Sequence, residues 1–364
     1  MAKKKMSPKT DLRNFTQDEL VHYVESLGQP AFRGRQIMGW LYRPGVNDFS
    51  QMTDLAKEFR ATLAEHARIY QFPEPLIQRS QDGCVKFAFT LEDGKVIESV
   101  LIPEPDRNTL CVSSQVGCAM NCSFCLTATL GFERNLNPSE IVNQVCSVSE
   151  FLRKEPAGKL IGPDRVTNLV FMGMGEPLNN LDNLIKSISI LTEQRGLDMT
   201  SRRITVSTCG IVPKMHRLGE ETDVNLAISL HGVNDSSRDM LMPVNMRYPL
   251  EDLLQACRDY PMARRKRIMF EYILLAGIND SDDDARKLVS LLREIPCKVN
   301  LLAYNESPGI PYRSPSRNRI YAFQKIVRDG GYSVFIRSSR GEDISAACGQ
   351  LARQKQEDKD NNDA

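Results

Sequence analysis

Between residues 109 and 340 the sequence changes register repeatedly from strand-like to helix-like. Six apolar, β-branched runs stand out: TLCVSSQ, VTNLVFMG, RITVSTC, VNLAISLH, RIMFEYILL and KVNLLAYN. Between them lie stretches with apolar residues three and four apart, such as Ile141, Val145, Val148 and Leu152. That helix is announced by Asn137-Pro138-Ser139-Glu140: a capping side chain, proline at the first helical position and glutamate at the third. Strand–helix alternation of this kind is satisfied by a parallel sheet with crossover helices. Six units fall short of the eight that close a barrel. The expectation is an α/β fold with an open, partial (β/α)6 barrel, its polar site at the C-terminal ends of the strands.

The flanks differ in character. Residues 1–9 are basic and read as a disordered start, with no apolar segment behind them to make a leader. Residues 10–68 read as a small helical domain. DLRNFTQDELVHYVESLG places Leu20, Val21 and Val24 on one side, and Thr16 with Glu19 resembles a capping box. FRGRQIMGWLYRPG continues helically, carries the only tryptophan, Trp40, and supplies Arg33, Arg35 and Arg43. Residues 69–108 read as a short β extension, GCVKFAFTL and KVIESVLIP joined by the hairpin signal EDG. Residues 341–364 hold a polar, glycine-flanked loop around Cys348 and an acidic tail. Lys plus Arg (47) nearly balance Asp plus Glu (46), so a globally basic nucleic-acid binder is not indicated. Local patches remain at Arg33/Arg35, Arg202/Arg203 and Arg264–Arg267. No run of 18 apolar residues exists, so no membrane span is expected. No heptad pattern is visible, and a cytoplasmic monomer is expected. In such a reducing compartment ten cysteines serve as thiols, ligands or catalytic groups rather than as a disulfide framework.

Three of the cysteines, Cys118, Cys122 and Cys125, are spaced C-x3-C-x2-C just after the first barrel strand. Structural zinc is four-coordinate and closed, yet none of the four histidines is close in sequence. Three thiolates on one loop suit an iron–sulfur cluster with one iron left open. A zinc-stabilised RNA-binding protein without catalysis is the alternative from another class.

This spacing in this place resembles the radical S-adenosylmethionine (SAM) superfamily. Together with CVSSQVGCAMNCSFC, GFERNL, FMGMGEPLNN, STCGIVP, LAISLHG and the terminal ACGQL, the chain resembles the RlmN family of adenine-C2 RNA methyltransferases over nearly its whole length. The resemblance implies a radical-SAM barrel with a [4Fe–4S] cluster on Cys118, Cys122 and Cys125, the open iron taking the amino and carboxylate groups of SAM. It implies SAM contacts at Gly175, Glu176, Ser207, Ser229, Leu230, His231 and Asn305. It implies two SAM molecules per turnover: one methylates Cys348, the second yields a 5′-deoxyadenosyl radical that takes a hydrogen from that methyl. The methylene radical adds to C2, Glu98 removes the proton, and Cys111 attacks the sulfur of Cys348 to release the product through a transient disulfide. Glu98 sits in an apolar run, where desolvation would raise its pKa. The implied substrates are an adenosine in the peptidyl-transferase region of 23S rRNA and the adenosine 3′ of the anticodon in tRNAs. The helical N-terminal domain would bind RNA, and a flavodoxin-type protein would donate electrons. A sister enzyme that methylates adenine C8 and confers antibiotic resistance is the neighbouring alternative. One departure follows Cys125, where Ala128 stands at a position that is glycine in many members of the family, with Gly131 kept.

Overall fold

The computed structural model describes residues 9–155 and 160–351; the acidic tail and the first eight residues lie outside them. Thr10–Asp11 (β1) pairs in parallel with Ala67–Arg68 (β2) and closes off a helical unit of α1 (Gln17–Ser26), α2 (Phe32–Leu41) and α3 (Lys57–His66). α1 begins where the sequence predicts. Glu19 N donates to Thr16 Oγ1 at 3.3 Å, and Thr16 N donates to Glu19 Oε2 at 2.8 Å. The unit has its own core, including Leu20, Val24, Ile37, Met38 and Leu41. Arg33 and Arg43 both lie against the Trp40–Asp54 pair, in which Trp40 Nε1 donates to Asp54 Oδ1 at 2.5 Å. Arg33 Nη1 donates to the Asp54 carbonyl at 3.1 Å, Arg43 stacks over the Trp40 ring at 3.9 Å, and Arg35 is exposed.

Leu76–Arg79 (β3), Val85–Thr90 (β4), Val96–Glu104 (β5) and Arg107–Cys111 (β6) form an antiparallel meander. The EDG turn between β4 and β5 closes with Leu91 N donating to Lys95 O at 2.7 Å. Then Gln115–Gly117 (β7) and Phe132–Asn135 (β8) pair antiparallel on either side of the cysteine loop, which contains the single turn α4 (Leu126–Thr129). The rest alternates. α5 (Pro138–Lys154) leads to β9 (Asn168–Phe171), α6 (Leu181–Thr192) to β10 (Ile204–Thr208), and α7 (Val212–Glu221) to β11 (Asn225–Ser229). α8 (Asp235–Leu241) and α9 (Leu250–Arg258) precede β12 (Ile268–Leu274). α10 (Asp282–Leu291) precedes β13 (Cys297–Ala303), and α11 (Arg317–Asp329) precedes β14 (Val334–Arg337). The α5 start also follows the sequence: Glu140 N donates to Asn137 Oδ1 and Asn137 N to Glu140 Oε2, both at 2.9 Å.

One ten-stranded sheet runs in the order β14-β13-β12-β11-β10-β9-β6-β5-β4-β3. Every pair from β6 to β14 is parallel. Two features add to the sequence reading. The β extension joins the barrel sheet directly: β5 pairs with β6, with Val100 opposite Cys111. A seventh parallel strand, β14, closes the far edge. It is four residues long with Phe335 exposed, and an edge strand that short leaves almost no period-two signal.

The pairing register sets which residues share the inner face. Cys111 is level with Val170, Val170 with Thr205, Ser207 with Ala227, Ser229 with Glu271, and Leu302 with Arg337. Because side chains alternate along a strand, Glu98, Cys111, Ser207, Ser229, Glu271 and Arg337 face one another across the barrel. Phe171, Val206, Ile228, Phe270 and Leu301 turn outward, fully buried under the helices.

Candidate active site

The loop carrying Cys118, Cys122 and Cys125 is pinned at its base. Cys118 N donates to Gly131 O at 2.9 Å, beside the β7–β8 pairing made by the QVG and FERN residues. All three thiols are half-buried and line one cavity at the C-terminal mouth of the barrel. The cavity encloses about 920 Å³ counted to its opening on solvent, within the ~300–1,000 Å³ range of small-molecule sites. Burial pushes the Cys118 thiol up to about 12, and Cys122 and Cys125 are raised by burial too. Such thiols stay protonated until a metal displaces the protons. Among the described residues no three His, Cys, Asp or Glu side chains meet where they would share one ion. A cluster, by contrast, takes each thiolate on a different iron. The donor set fits a three-cysteine iron–sulfur cluster and not a closed zinc site.

The strand-end residues divide. Gly175, Glu176, Ser207, Ser229 and His231 line the same cavity as the thiols. Gly175 is left-handed at φ +100°, and a Cβ there would lie 2.5 Å from Gln115 Cβ. The glycines of GMGEP therefore admit the neighbouring CVSSQ chain. The two motifs lock together: Glu176 N donates to Gln115 Oε1 at 2.8 Å, and Met174 N to Ser113 Oγ at 2.9 Å. The Glu176 carboxylate is occupied within the protein. It accepts from Leu178 N at 2.9 Å and Cys209 N at 2.8 Å, and burial raises its pKa. His231 is buried, with its pKa lowered to about 3 by desolvation and then by the Arg238 charge. Ile273 N donates to His231 Nδ1 at 3.1 Å, so the imidazole is neutral with its proton on Nε2. Its ring meets Phe124 edge-on at 5.0 Å. Two predicted residues face elsewhere. The Leu230 side chain is fully buried, outside the cavity lining. Asn305 lines an adjoining hollow, where Nδ2 donates to the Cys348 carbonyl at 3.4 Å.

Cys348 is exposed and lies in the cavity with the three loop thiols. Its segment is tethered to theirs: Leu126 N donates to Gly349 O at 2.8 Å, and Thr127 Oγ1 to Leu351 O at 2.6 Å. Cys111, half-buried on β6, faces the same interior, and burial followed by the neighbouring Cys348 sulfur pushes its thiol up to about 12. Glu98 is on the inner face but is not a solvent-facing or merely desolvated carboxylate. It is 1% exposed, and Lys86 Nζ lies 3.5 Å from its Oε1. Glu98 is thus buried, as the apolar run predicts, and faces an opposite charge that the run does not announce.

Four site residues escape sequence reasoning. Lys86 is one. Arg337 on β14 lines the cavity, and its pKa is raised chiefly by Cys348. Glu271, also in the lining, has its pKa raised by burial and accepts from Asn300 Nδ2 at 3.1 Å. Arg238, 1% exposed, ties the ends of β10 and β11 by donating to Cys209 O at 2.7 Å and Leu230 O at 3.2 Å. Only spacing within a strand marks Glu271; nothing local marks the other three.

Comparison with known proteins agrees with this geometry. Residues 10–69 match the family model described as the ribosomal RNA large subunit methyltransferase N-terminal domain, and residues 112–289 that of the radical SAM superfamily. The dual-specificity RNA methyltransferase RlmN of Desulfotalea psychrophila is 71% identical over 94% of this chain and 95% of its own. That of Geobacter sulfurreducens is 51% identical over 95% and 93%. The crystal structure of a radical SAM methyltransferase from Sphaerobacter thermophilus superposes with a TM-score of 0.86 at 44% identity, covering 94% of this chain and 99% of that one. A three-thiol loop at the mouth of a partial barrel, identity across almost the full length and a matching N-terminal domain have one common reading: the chain belongs to the RlmN family of the radical SAM superfamily.

Proposed function

We propose that the protein is a dual-specificity RNA methyltransferase that places a methyl group on C2 of an adenosine, in the peptidyl-transferase region of 23S rRNA and 3′ of the anticodon in tRNAs. The observation that carries this reading is the position of Cys348. An exposed thiol far outside the β/α repeats shares the cavity of Cys118, Cys122 and Cys125 and is bonded through Gly349 to the loop of Cys125. A C8-methylating sister enzyme is not favoured, since the relatives reported above bear the RlmN name.

When bound, the [4Fe–4S] cluster on Cys118, Cys122 and Cys125 supplies the electron that cleaves SAM homolytically, and SAM supplies both the methyl group and the hydrogen-abstracting radical. Adenine C2 is electron-poor and is no nucleophile for a methyl cation equivalent. The methyl group is therefore carried by Cys348 Sγ, for which the thiolate is the competent form. Carbon–carbon bond formation leaves the base covalently attached to that sulfur. Glu98, whose Oε1 lies 3.5 Å from Lys86 Nζ, takes the C2 proton as the ring gives up its unpaired electron, for which the cluster would be the acceptor. The Cys111 thiolate then attacks Cys348 Sγ, as in thiol–disulfide exchange: a Cys111–Cys348 disulfide forms, the S–CH2 bond breaks with its electron pair left on carbon, that carbon takes up a proton to become the methyl group, and a cellular dithiol reduces the disulfide. Ser207, Ser229 and the neutral His231 supply hydroxyls and one N–H at the cavity wall, suited to the ribose and adenine edges of SAM. Gly175 and Glu176 present backbone at the amino-acid end. Asn305 acts by holding the Cys348 backbone. A flavodoxin-type protein is the electron donor, and the enzyme works as a cytoplasmic monomer. No helix among the described residues is long and apolar enough to cross a membrane.

The test is complementation of a bacterial strain lacking its own C2 methyltransferase, with the 2-methyladenosine content of 23S rRNA and tRNA read by mass spectrometry. The wild-type gene restores the modified nucleoside in both RNAs, and Cys348→Ala restores none. Appearance of 8-methyladenosine, or restoration by Cys348→Ala, contradicts the proposal.

A further inference from the structure

Lys86 belongs to no motif, yet the residue is 2% exposed on the inner face of β4. Its Nζ lies 3.5 Å from Glu98 Oε1 and 3.5 Å from the carbonyl oxygen of Ser345, three residues before Cys348. A lysine so far from water is tolerated as a cation only where both charge and hydrogen bonds are compensated. One compensating group is the proposed base, and the other is the backbone of the loop that bears the proposed methyl carrier.

That loop needs external supports. Gly341, Ser345 and Gly349 all sit in the left-handed region, at φ +71°, +51° and +80°. Its ends are held by other partners: Gly341 N donates to Asp82 Oδ2 at 2.9 Å, and Leu126 N to Gly349 O at 2.8 Å. Between those ends, the Ser345 carbonyl reaches the barrel wall through Lys86.

We propose that Lys86 is a positioning residue that joins the base to the carrier, fixing the Glu98 carboxylate and the Cys348 loop in one frame. This rests on the reading of Glu98 as the base. The consequence is chemical as well as geometric. While Glu98 is ionised, Lys86 is paired; once Glu98 has taken a proton, the buried ammonium keeps only the Ser345 carbonyl and the loop's hold on the wall changes. The other ionisable groups that act on this inner face include Glu104 on β5, Cys111 on β6, Glu271 on β12, Lys298 on β13 and Arg337 on β14, with Cys348 on the loop above.

The test compares wild type, Lys86→Met, Lys86→Arg and Glu98→Gln as full-length holoenzymes. Single-turnover methylation of an rRNA fragment is followed against pH, and the rate of Cys348 alkylation by iodoacetamide is located by mass spectrometry. Glu98→Gln abolishes methylation. Lys86→Met moves the acid limb of the rate profile upward by about one pH unit or more, because a buried carboxyl that has lost a neighbouring positive charge holds its proton longer, and alters Cys348 alkylation several-fold. Lys86→Arg returns the limb toward wild type. Should Lys86→Met fail to fold, Lys86→Gln removes the same charge and reads the same shift. A limb and an alkylation rate in the charge-free variant equal to wild type, with Glu98→Gln inactive, overturn the role of Lys86 alone. Full activity in Glu98→Gln overturns the reading of Glu98 and the proposal with it.

Discussion

His231 shows how one buried residue sets a pH response. Its folded pKa of about 3 lies below the ordinary 6.5 because burial and Arg238 oppose the imidazolium. The unfolded chain therefore binds a proton that the folded protein refuses. The sign follows: stability is full above about pH 6.5 and declines as pH falls from there toward 3, by up to about 1.4 kcal/mol per unit. Chemical denaturation of the apoprotein at pH 7 and pH 5 should show a loss of about 1–2 kcal/mol that His231→Gln diminishes. Above pH 6.5 the ring does not titrate, so SAM affinity between pH 7 and pH 8 should not depend on it. Gln144 makes a second residue-scale case. It is fully buried, accepts from Ser99 Oγ at 2.7 Å and Ser113 N at 2.8 Å, and donates to Ser113 O at 3.0 Å. Gln144→Leu leaves those groups unpaired in the interior and should destabilise by about 2–4 kcal/mol in urea unfolding.

Among the elements, the β7–β8 pair decides whether the cysteine loop exists. Gly117 is at φ +72°, and a Cβ there would fall 1.8 Å from Gly131 O. Gly131 is at φ +67° with nothing within 4 Å of the corresponding point. Gly117→Ala should open the loop and lower bound iron and sulfide after anaerobic reconstitution. Gly131→Ala should keep the iron and cost about 1 kcal/mol of backbone strain. Ala128 lies within the turn of α4 with no left-handed φ, so its methyl group is accommodated. Elements of this kind are legible in the sequence because their determinants are local: Thr16 with Glu19, Asn137 with Glu140, the EDG turn, and the spacing of Cys118, Cys122 and Cys125. β14 is not, being four residues at a sheet edge. Lys86 is not either, because its partner Ser345 lies 259 residues away and is brought to it only by closure of the barrel. The GMGEP glycines are legible as a close approach, but the neighbour they make room for, Gln115, is not.

At the scale of the molecule, the helical unit is welded to the barrel by a buried group rather than by surface charge. Arg13 is 5% exposed, donates to Leu41 O at 3.0 Å and Tyr70 O at 3.2 Å, and bonds to the Asn143 side chain on α5. The Lys186–Glu19 pair also crosses between the two parts but is half-exposed and contributes little. Arg13→Met should lower stability by about 2–4 kcal/mol, and RNA affinity should fall more than SAM affinity, both readable by titration. The basic runs at Arg202/Arg203 and Arg264–Arg267 precede β10 and β12 and so lie at the N-terminal end of the parallel strands, away from the cavity mouth. Lys266 is already paired with Asp223 at 2.5 Å. Neutralising Arg264 and Arg265 together should leave the salt dependence of RNA binding unchanged, because phosphates bound at the mouth do not reach them.

The central claim is that Cys348 carries the methyl group to the base and Cys111 releases it. It is tested most directly by expressing Cys111→Ala in cells and isolating the protein under denaturing conditions. The account predicts RNA covalently attached through Cys348, with nuclease digestion to a single nucleoside placing the link on adenine C2. Protein free of nucleic acid, with its iron–sulfur cluster intact and target RNA present, would contradict it.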